Sequence, residues 1–174
     1  MNLIFLKKTA EDGIILKRMF EELKTIFIAM SPVVELRGAI PVALFQYGLN
    51  PWAAFFFSVI GNIIPAFFLL LYLEKVVDFL SSKNNFFKKI INWFFEKTKK
   101  KHSDKFNRSK ELALMLFVAV PLPLTGVWTG SDCAFLFDIP FPQSLLIIFS
   151  GVIIAGTIVS LLSLGIINFN NFAL

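Results

Sequence analysis

The 174-residue chain is poor in the residues that soluble catalysis relies on: it has one cysteine, Cys133, one histidine, His102, and only 17% charged side chains. A single cysteine cannot close an internal disulfide, so nothing in it reports an oxidising compartment. No His/Cys/carboxylate cluster has metal-ligand spacing, and no Ser/His/Asp set lies in the apolar sequence. Hydrolytic and metal-dependent chemistry therefore have no residues to work with, and the chain is expected to be a non-enzyme without cofactor or metal. No cleavable secretory signal is expected, because the apolar Leu3 to Leu6 precedes Lys7 and Lys8, the reverse of a signal's order. Charge is missing altogether from Pro51 to Leu73 and from Ile139 to Leu174. Each run exceeds the ~20 residues that a helix needs to span hydrocarbon.

What the chain has in excess is apolar surface: 56% hydrophobic residues, 22 of them Phe, and a mean hydropathy of +0.73. A soluble domain holds ~45–50% apolar and ~25% charged residues. The bilayer is the solvent, and a multi-pass protein of the cell membrane is expected.

The net charge of +5 is unevenly placed. Residues 74–110 carry eleven Lys/Arg against Glu74, Asp78, Glu96 and Asp104, while the rest of the chain is slightly acidic. A basic linker between apolar blocks is the positive-inside signal and places this segment in the cytoplasm. Within it Phe87, Ile90, Ile91 and Phe94 recur at helical spacing among lysines, which predicts an amphipathic helix lying on anionic headgroups. The lysine run 97–101 is read as that same attraction and not as a nucleic-acid site, and His102 as a solvated side chain.

Two further blocks, Leu23 to Leu49 and Leu112 to Phe137, are long enough to cross but have Pro, Gly and charge in their middles. The first holds Ser31, Pro32, Glu35, Arg37, Gly38 and Pro41. Proline strands the carbonyl four residues back, here those of Ile28 and Arg37, although Ser31-Pro32 also suits a helix restart with Ser as N-cap. The second holds Pro121, Pro123, Thr125, Gly126, Trp128, Thr129 and Gly130, with the carbonyls of Phe117 and Ala119 stranded. Stranded backbone groups cannot face lipid, so both blocks are expected to be broken hairpins or discontinuous helices. Asn50-Pro51 starts the intact span as N-cap and N1, and Pro65 is expected to kink it.

The blocks pair up. Gly38 on Gly126 brings broken segment onto broken segment and, with a two-residue insertion, Gly61 onto Gly151. The fold class expected is an all-α integral membrane protein of two inverted repeats, each a broken or re-entrant hairpin followed by a transmembrane helix. Its parts are an N-terminal amphipathic segment 1–24; a first repeat 25–73, with hairpin 25–49 and helix 51–73; the basic linker 74–110; and a second repeat 111–169, with hairpin 111–138 and helix 142–167. Four full crossings would serve the same sequence.

Charges inside a membrane segment cost at least ~2.5–3.5 kcal/mol unless partnered. On an ideal helix Glu35 and Arg37 would point apart. Either the backbone between Pro32 and Pro41 is non-helical or each finds a partner elsewhere, with Asp132 the candidate for Arg37. The functional reading makes Glu35 and Asp132 ion- or proton-coupling residues and Arg37, Thr125, Trp128 and Thr129 substrate contacts. The competing reading is a permanent structural ion pair. Pro32, Gly38, Pro41, Pro121, Pro123, Gly126 and Gly130 shape the hairpin backbones.

The segment from Pro32 to Pro41, the following Asn50-Pro51-Trp52, Gly61-Asn62 with Pro65, and the segment from Pro121 to Gly130 together resemble the small multidrug export protein family, over roughly residues 25–165. That family is similar in turn to the DedA and VTT superfamily of re-entrant membrane proteins, some implicated in moving lipids between leaflets. The resemblance implies transport: a secondary transporter driven by protons or Na⁺, or alternatively a translocase for a polyprenyl-phosphate or phospholipid. A non-transporting scaffold is the third class. The partners expected are membrane lipids and a small amphipathic or lipid substrate, no nucleic acid, with a homo-oligomer left open.

The orientation is testable. In a Cys133→Ser background, a cysteine replacing Lys100 should label with an impermeant maleimide only from the cytoplasmic side. Labelling only from outside would reverse the topology.

Overall fold

The computed structural model describes residues 3–83, 104–122 and 125–172, and among them every regular element is a helix. In chain order these are α1 (Leu3–Met30), α2 (Glu35–Pro41) running into a π-helical turn (Val42–Gln46), α3 (Pro51–Lys83), α4 (Asp104–Ala119), α5 (Val127–Leu136) and α6 (Phe141–Phe172). The apolar stripe from Phe87 to Phe94, the lysine run 97–101 and Pro123 lie outside the described residues.

Two helices are long and apolar enough to cross a membrane, Pro51–Leu73 within α3 and Phe141–Ile166 within α6. Only 39% and 33% of these windows are buried. Trp52, Phe56, Phe68, Leu146, Leu161 and Leu162 all point outward. A helix at the centre of a soluble protein would hide such side chains, whereas lipid accommodates them. Beyond Leu73, α3 continues to Lys83. There Lys75 Nζ lies 5.6 Å from the centre of the Tyr72 ring, a charged head held over an aromatic at the end of the apolar run.

The chain forms two compact units, Met1–Gly61 with Gly156–Leu174, and Asn62–Ala155. In the first, α1 runs unbroken through residue 24, so the boundary expected there is a change of surroundings and not of backbone. The buried Thr25 hydroxyl donates to the Glu21 carbonyl at 2.8 Å, which lets a polar residue stay inside the helix. The helix ends at Met30 because Pro32 has no N–H to continue it. The carbonyl that Pro32 strands, Ile28, is taken by the Ser31 N–H at 3.1 Å. The chain turns over residues 31–34, and α2 begins at Glu35, later than the restart at Ser31-Pro32 that the sequence suggests. The Ser31 carbonyl accepts from the Glu35 N–H at 3.0 Å, the first bond of such a restart, but Glu35 then takes φ 51° and interrupts the helical path, so the regular helix follows only from there.

α2 packs on α1 through Ala29, Leu36, Ala39 and Ile40, all at most 2% exposed. Past Pro41 the backbone widens into the π turn. It closes with the Tyr47 N–H on the Val42 carbonyl (3.1 Å) and the Leu49 N–H on the Ala43 carbonyl (2.9 Å). The reversal that follows places Gly48 at φ +64°, where a Cβ would be strained. Asn50 then caps α3, its Oδ1 accepting from the Ala53 N–H at 2.7 Å, with Pro51 as the first helical residue.

In the second unit α5 ends in a Schellman turn. The Asp138 N–H bonds the Phe135 carbonyl (3.0 Å), the Ile139 N–H bonds that of Ala134 (3.1 Å), and Asp138 takes φ 57°. Lys110 Nζ of α4 donates to the Phe137 carbonyl at 3.3 Å, which ties the end of α5 back to α4. Phe67 of α3 meets Phe141 of α6 edge-on, with ring centres 5.6 Å apart.

One register recurs after ninety residues. The buried positions 54, 58, 61, 62, 65 and 66 on α3 correspond to buried positions 144, 148, 151, 152, 155 and 156 on α6; Val59 is buried where Phe149 is not, and Val159 and Ser163 are buried where Leu69 and Leu73 are not. Each helix carries a glycine seam. A Cβ on Gly61 would meet the Ile26 carbonyl oxygen and lie 2.8 Å from Ala29 Cβ of α1. A Cβ on Gly151 would lie 3.0 Å from the Met115 carbonyl oxygen and 2.8 Å from Val118 Cβ of α4. Small residues are how helices approach closely where lipid removes the hydrophobic drive between them.

Gly61→Ala and Gly151→Ala should each lower the melting temperature in detergent, through overpacking of about 1–3 kcal/mol. Gly165→Ala has open space around it and should be neutral or stabilising, by up to about 1 kcal/mol. Equal behaviour of all three would show that the seams are not close contacts.

Candidate functional site

The first broken hairpin brings an acid and a base together at its tip. Glu35 is 5% exposed, the one acid in the block Leu23 to Leu49. Its φ of 51° is the left-handed region, uncommon for a residue with a Cβ and costing about 1–2 kcal/mol. That backbone removes the helical geometry under which residues two apart diverge. Arg37 Nη2 lies 3.3 Å from Glu35 Oε2, with side chains 19% and 6% exposed. The departure from helical geometry is confined to Glu35, and the segment from there to Pro41 is helix α2. Gly38 completes the tip: a Cβ there would collide with Cγ1 of Val34, so only glycine lets α2 begin this close to the turn.

The second tip is organised around a hydroxyl. Thr125 Oγ1 lies 2.7 Å from the Val120 carbonyl and 2.8 Å from that of Leu122, and accepts from the Leu122 N–H at 3.3 Å. One side chain thus serves three backbone groups of a segment where prolines interrupt the helix. Gly126 follows as the buried, extended N-cap of α5, and Thr129 donates to its carbonyl at 3.4 Å. Gly130 fits against Val118 of α4, where a Cβ would lie 2.6 Å from Cγ2. Buried Ser131 donates to the Val127 carbonyl at 2.8 Å. Trp128 keeps its indole N–H buried without a hydrogen-bond partner among the described residues, a donor available to a ligand. Asp132 is on α5 with its side chain exposed.

Two polar residues were not singled out as site residues from the sequence. Ser58 and Asn62 lie one turn apart on α3, 0% and 1% exposed, and Ser58 Oγ and Asn62 Oδ1 have no hydrogen-bond partner among the described residues. At the corresponding positions of α6 stand Ile148 and Val152, also fully buried. The signal was present as two polar residues at i, i+4 within a charge-free span, and Asn62 entered only as part of the family motif. Buried groups without partners inside the protein mark places where an ion, water or substrate completes them.

Among the described residues no group of three or more His, Cys, Asp or Glu could hold a metal ion. A family model described as "Putative small multi-drug export protein" matches residues 35–158, more than half of the chain, beginning at Glu35 and taking in Arg37 and the second tip. No curated protein and no solved structure matches the chain.

Thr125→Val should destabilise the protein by about 0.5–1.5 kcal/mol by removing the hydroxyl's bonds to the tip, whose carbonyls keep their backbone partners, while Thr125→Ser should restore most of the loss. Thermal unfolding of both variants checks this. A neutral Thr125→Val would release the hydroxyl for a role in binding alone.

Proposed function

Because the chain belongs to the small multi-drug export protein family, we propose that it is a secondary transporter driven by protons or Na⁺, with Glu35 as the coupling carboxylate. The observation that carries this reading is the Glu35–Arg37 pair, sheltered at the point where a membrane helix breaks and reverses. Intramembrane ionisable groups mark ion and substrate paths by default. A cation or proton arriving at Glu35 competes with Arg37 for the same carboxylate. Its binding releases the guanidinium, which then holds an anionic group of the substrate, and that exchange couples ion to substrate. Asp132 is the corresponding carboxylate of the second tip. Thr129 and Trp128, whose indole N–H is unpartnered, are its substrate contacts, and the Thr125 hydroxyl holds that tip in shape.

The architecture proposed is an inverted pair of re-entrant hairpins. Lys24 Nζ lies 5.8 Å from the centre of the Tyr47 ring, so the chain returns beside its point of entry after the tip at residues 31–34. Lys110 with the Phe137 carbonyl does the same for the second hairpin. At 1.5 Å per residue the arms are about 10–18 Å deep, half of a ~30 Å hydrocarbon core. A single crossing by α3 between the hairpins makes them enter from opposite faces, with the basic linker in the cytoplasm. The glycine seams ninety residues apart support the repeat.

Glu35→Gln should abolish gradient-driven uptake of an amphipathic organic anion such as taurocholate in proteoliposomes, and Arg37→Gln should leave a weakened, uncoupled leak. Each single change should cost about 3–5 kcal/mol if the pair is only structural, with the double variant recovering. A Glu35→Gln/Arg37→Gln protein that regains both wild-type melting and wild-type driven uptake would overturn the coupling role.

A further inference from the structure

A cavity of about 330 Å³ lies between α1 and the turn that precedes α3, lined by Lys17, Arg18 and Glu21 on one side and Tyr47, Leu49 and Asn50 on the other. It is separate from the tip residues Glu35 and Arg37, and the transport reading makes no use of it. Its walls carry both signs of charge. Lys17 Nζ is 3.9 Å from Glu21 Oε1, and Arg18 Nε is 3.3 Å from Glu22 Oε1. The two bases are largely solvent-facing, at 78% and 56% exposed, while the acids are drawn in, at 18% and 20%. The rim therefore offers cations to a phosphate, and the wall offers a carboxylate to an ammonium.

The surroundings set the ligand's origin. Asn50 caps the helix that starts the apolar span Pro51–Leu73, and the neighbouring Trp52 is 83% exposed, the placement of an aromatic at the membrane–water boundary. Ile14 lines the cavity, and Ile15, Met19 and Phe20 continue an exposed apolar surface along α1 on which acyl chains can lie.

We propose that this cavity is a binding site for the headgroup of an aminophospholipid, a phosphate ester carrying a primary ammonium. Lys17 and Arg18 hold the phosphate, Glu21 accepts hydrogen bonds from the ammonium, and the acyl chains follow the apolar face of α1. A purely anionic headgroup leaves Glu21 facing negative charge. A quaternary ammonium has no N–H to donate to it.

The test uses the full-length protein in detergent micelles, with phosphatidylethanolamine, phosphatidylcholine, phosphatidylglycerol or free phosphoethanolamine added and thermal unfolding recorded. Phosphatidylethanolamine should raise the melting temperature by about 4 °C more than the other two lipids, the shift that occupancy near tenfold Kd gives in a chain of this size. Glu21→Gln should erase the preference over phosphatidylglycerol, and Lys17→Gln/Arg18→Gln should erase the stabilisation. The ion pairs are surface ones of small energy, so these variants should melt within about 1 °C of wild type without lipid. Variants that melt lower are replaced by Glu21→Asp and Lys17→Arg, which should keep the preference. Equal shifts with all three lipids, a preference that survives Glu21→Gln, or a response to free phosphoethanolamine without one to the lipid would overturn the proposal.

Discussion

Backbone polar groups released where a helix breaks must find hydrogen bonds inside the protein, and the rest of this structure depends on how two helix breaks meet that demand. At the first, Ser31 does most of the work with its backbone. Its N–H takes the carbonyl that Pro32 strands, and its carbonyl takes the N–H of Glu35. At the second, the hydroxyl of Thr125 reaches the carbonyls of Val120 and Leu122 and the N–H of Leu122. The two tips solve one physical problem by different chemistry. Only the first leaves a charged pair in the sheltered space.

Close approach of the helices follows from the solvent. Lipid gives apolar side chains no reason to leave it, so packing rests on backbone proximity and shape. Gly61 and Gly151 meet backbone and Cβ atoms of α1 and α4 where any larger residue would intrude, and Ala29, Ala39, Ala54 and Ala134 are fully buried. The framework repeats after ninety residues, but its polar chemistry does not. Ser58 and Asn62 on α3 stand where α6 has Ile148 and Val152. Buried polar groups without partners are costly in an apolar interior. Among the described residues such groups stand on both halves of the sequence, Ser58 and Asn62 on α3, Trp128 on α5 and Ser160 on α6, while the Glu35–Arg37 pair belongs to the first tip.

Much of the architecture was legible because its determinants are local. The span Pro51–Leu73 follows from composition and the Asn50-Pro51 cap. The second span, read from residue 142, begins one residue earlier, since helix ends depend on neighbouring backbone. The breaks at Pro32 and Pro121 follow from proline's missing N–H. Where α2 would begin was not legible, because Ser31-Pro32 has the features of a helix start and the left-handed backbone that interrupts the path at Glu35 is uncommon for glutamate.

The sequence by itself determined that the chain lives in lipid, where its helices break, and that Glu35 and Arg37 need partners, since each follows from composition, proline stereochemistry or the cost of charge in hydrocarbon. Only the tertiary structure decided how that need is met. Glu35 and Arg37, two residues apart, pair across a left-handed backbone at Glu35, a conformation that no preference of glutamate supplies. The same holds for Thr125, whose hydroxyl could have faced a ligand from the sequence alone. Its engagement with the backbone comes from the turn that the chain takes after α4, which brings the carbonyls five and three residues back within reach.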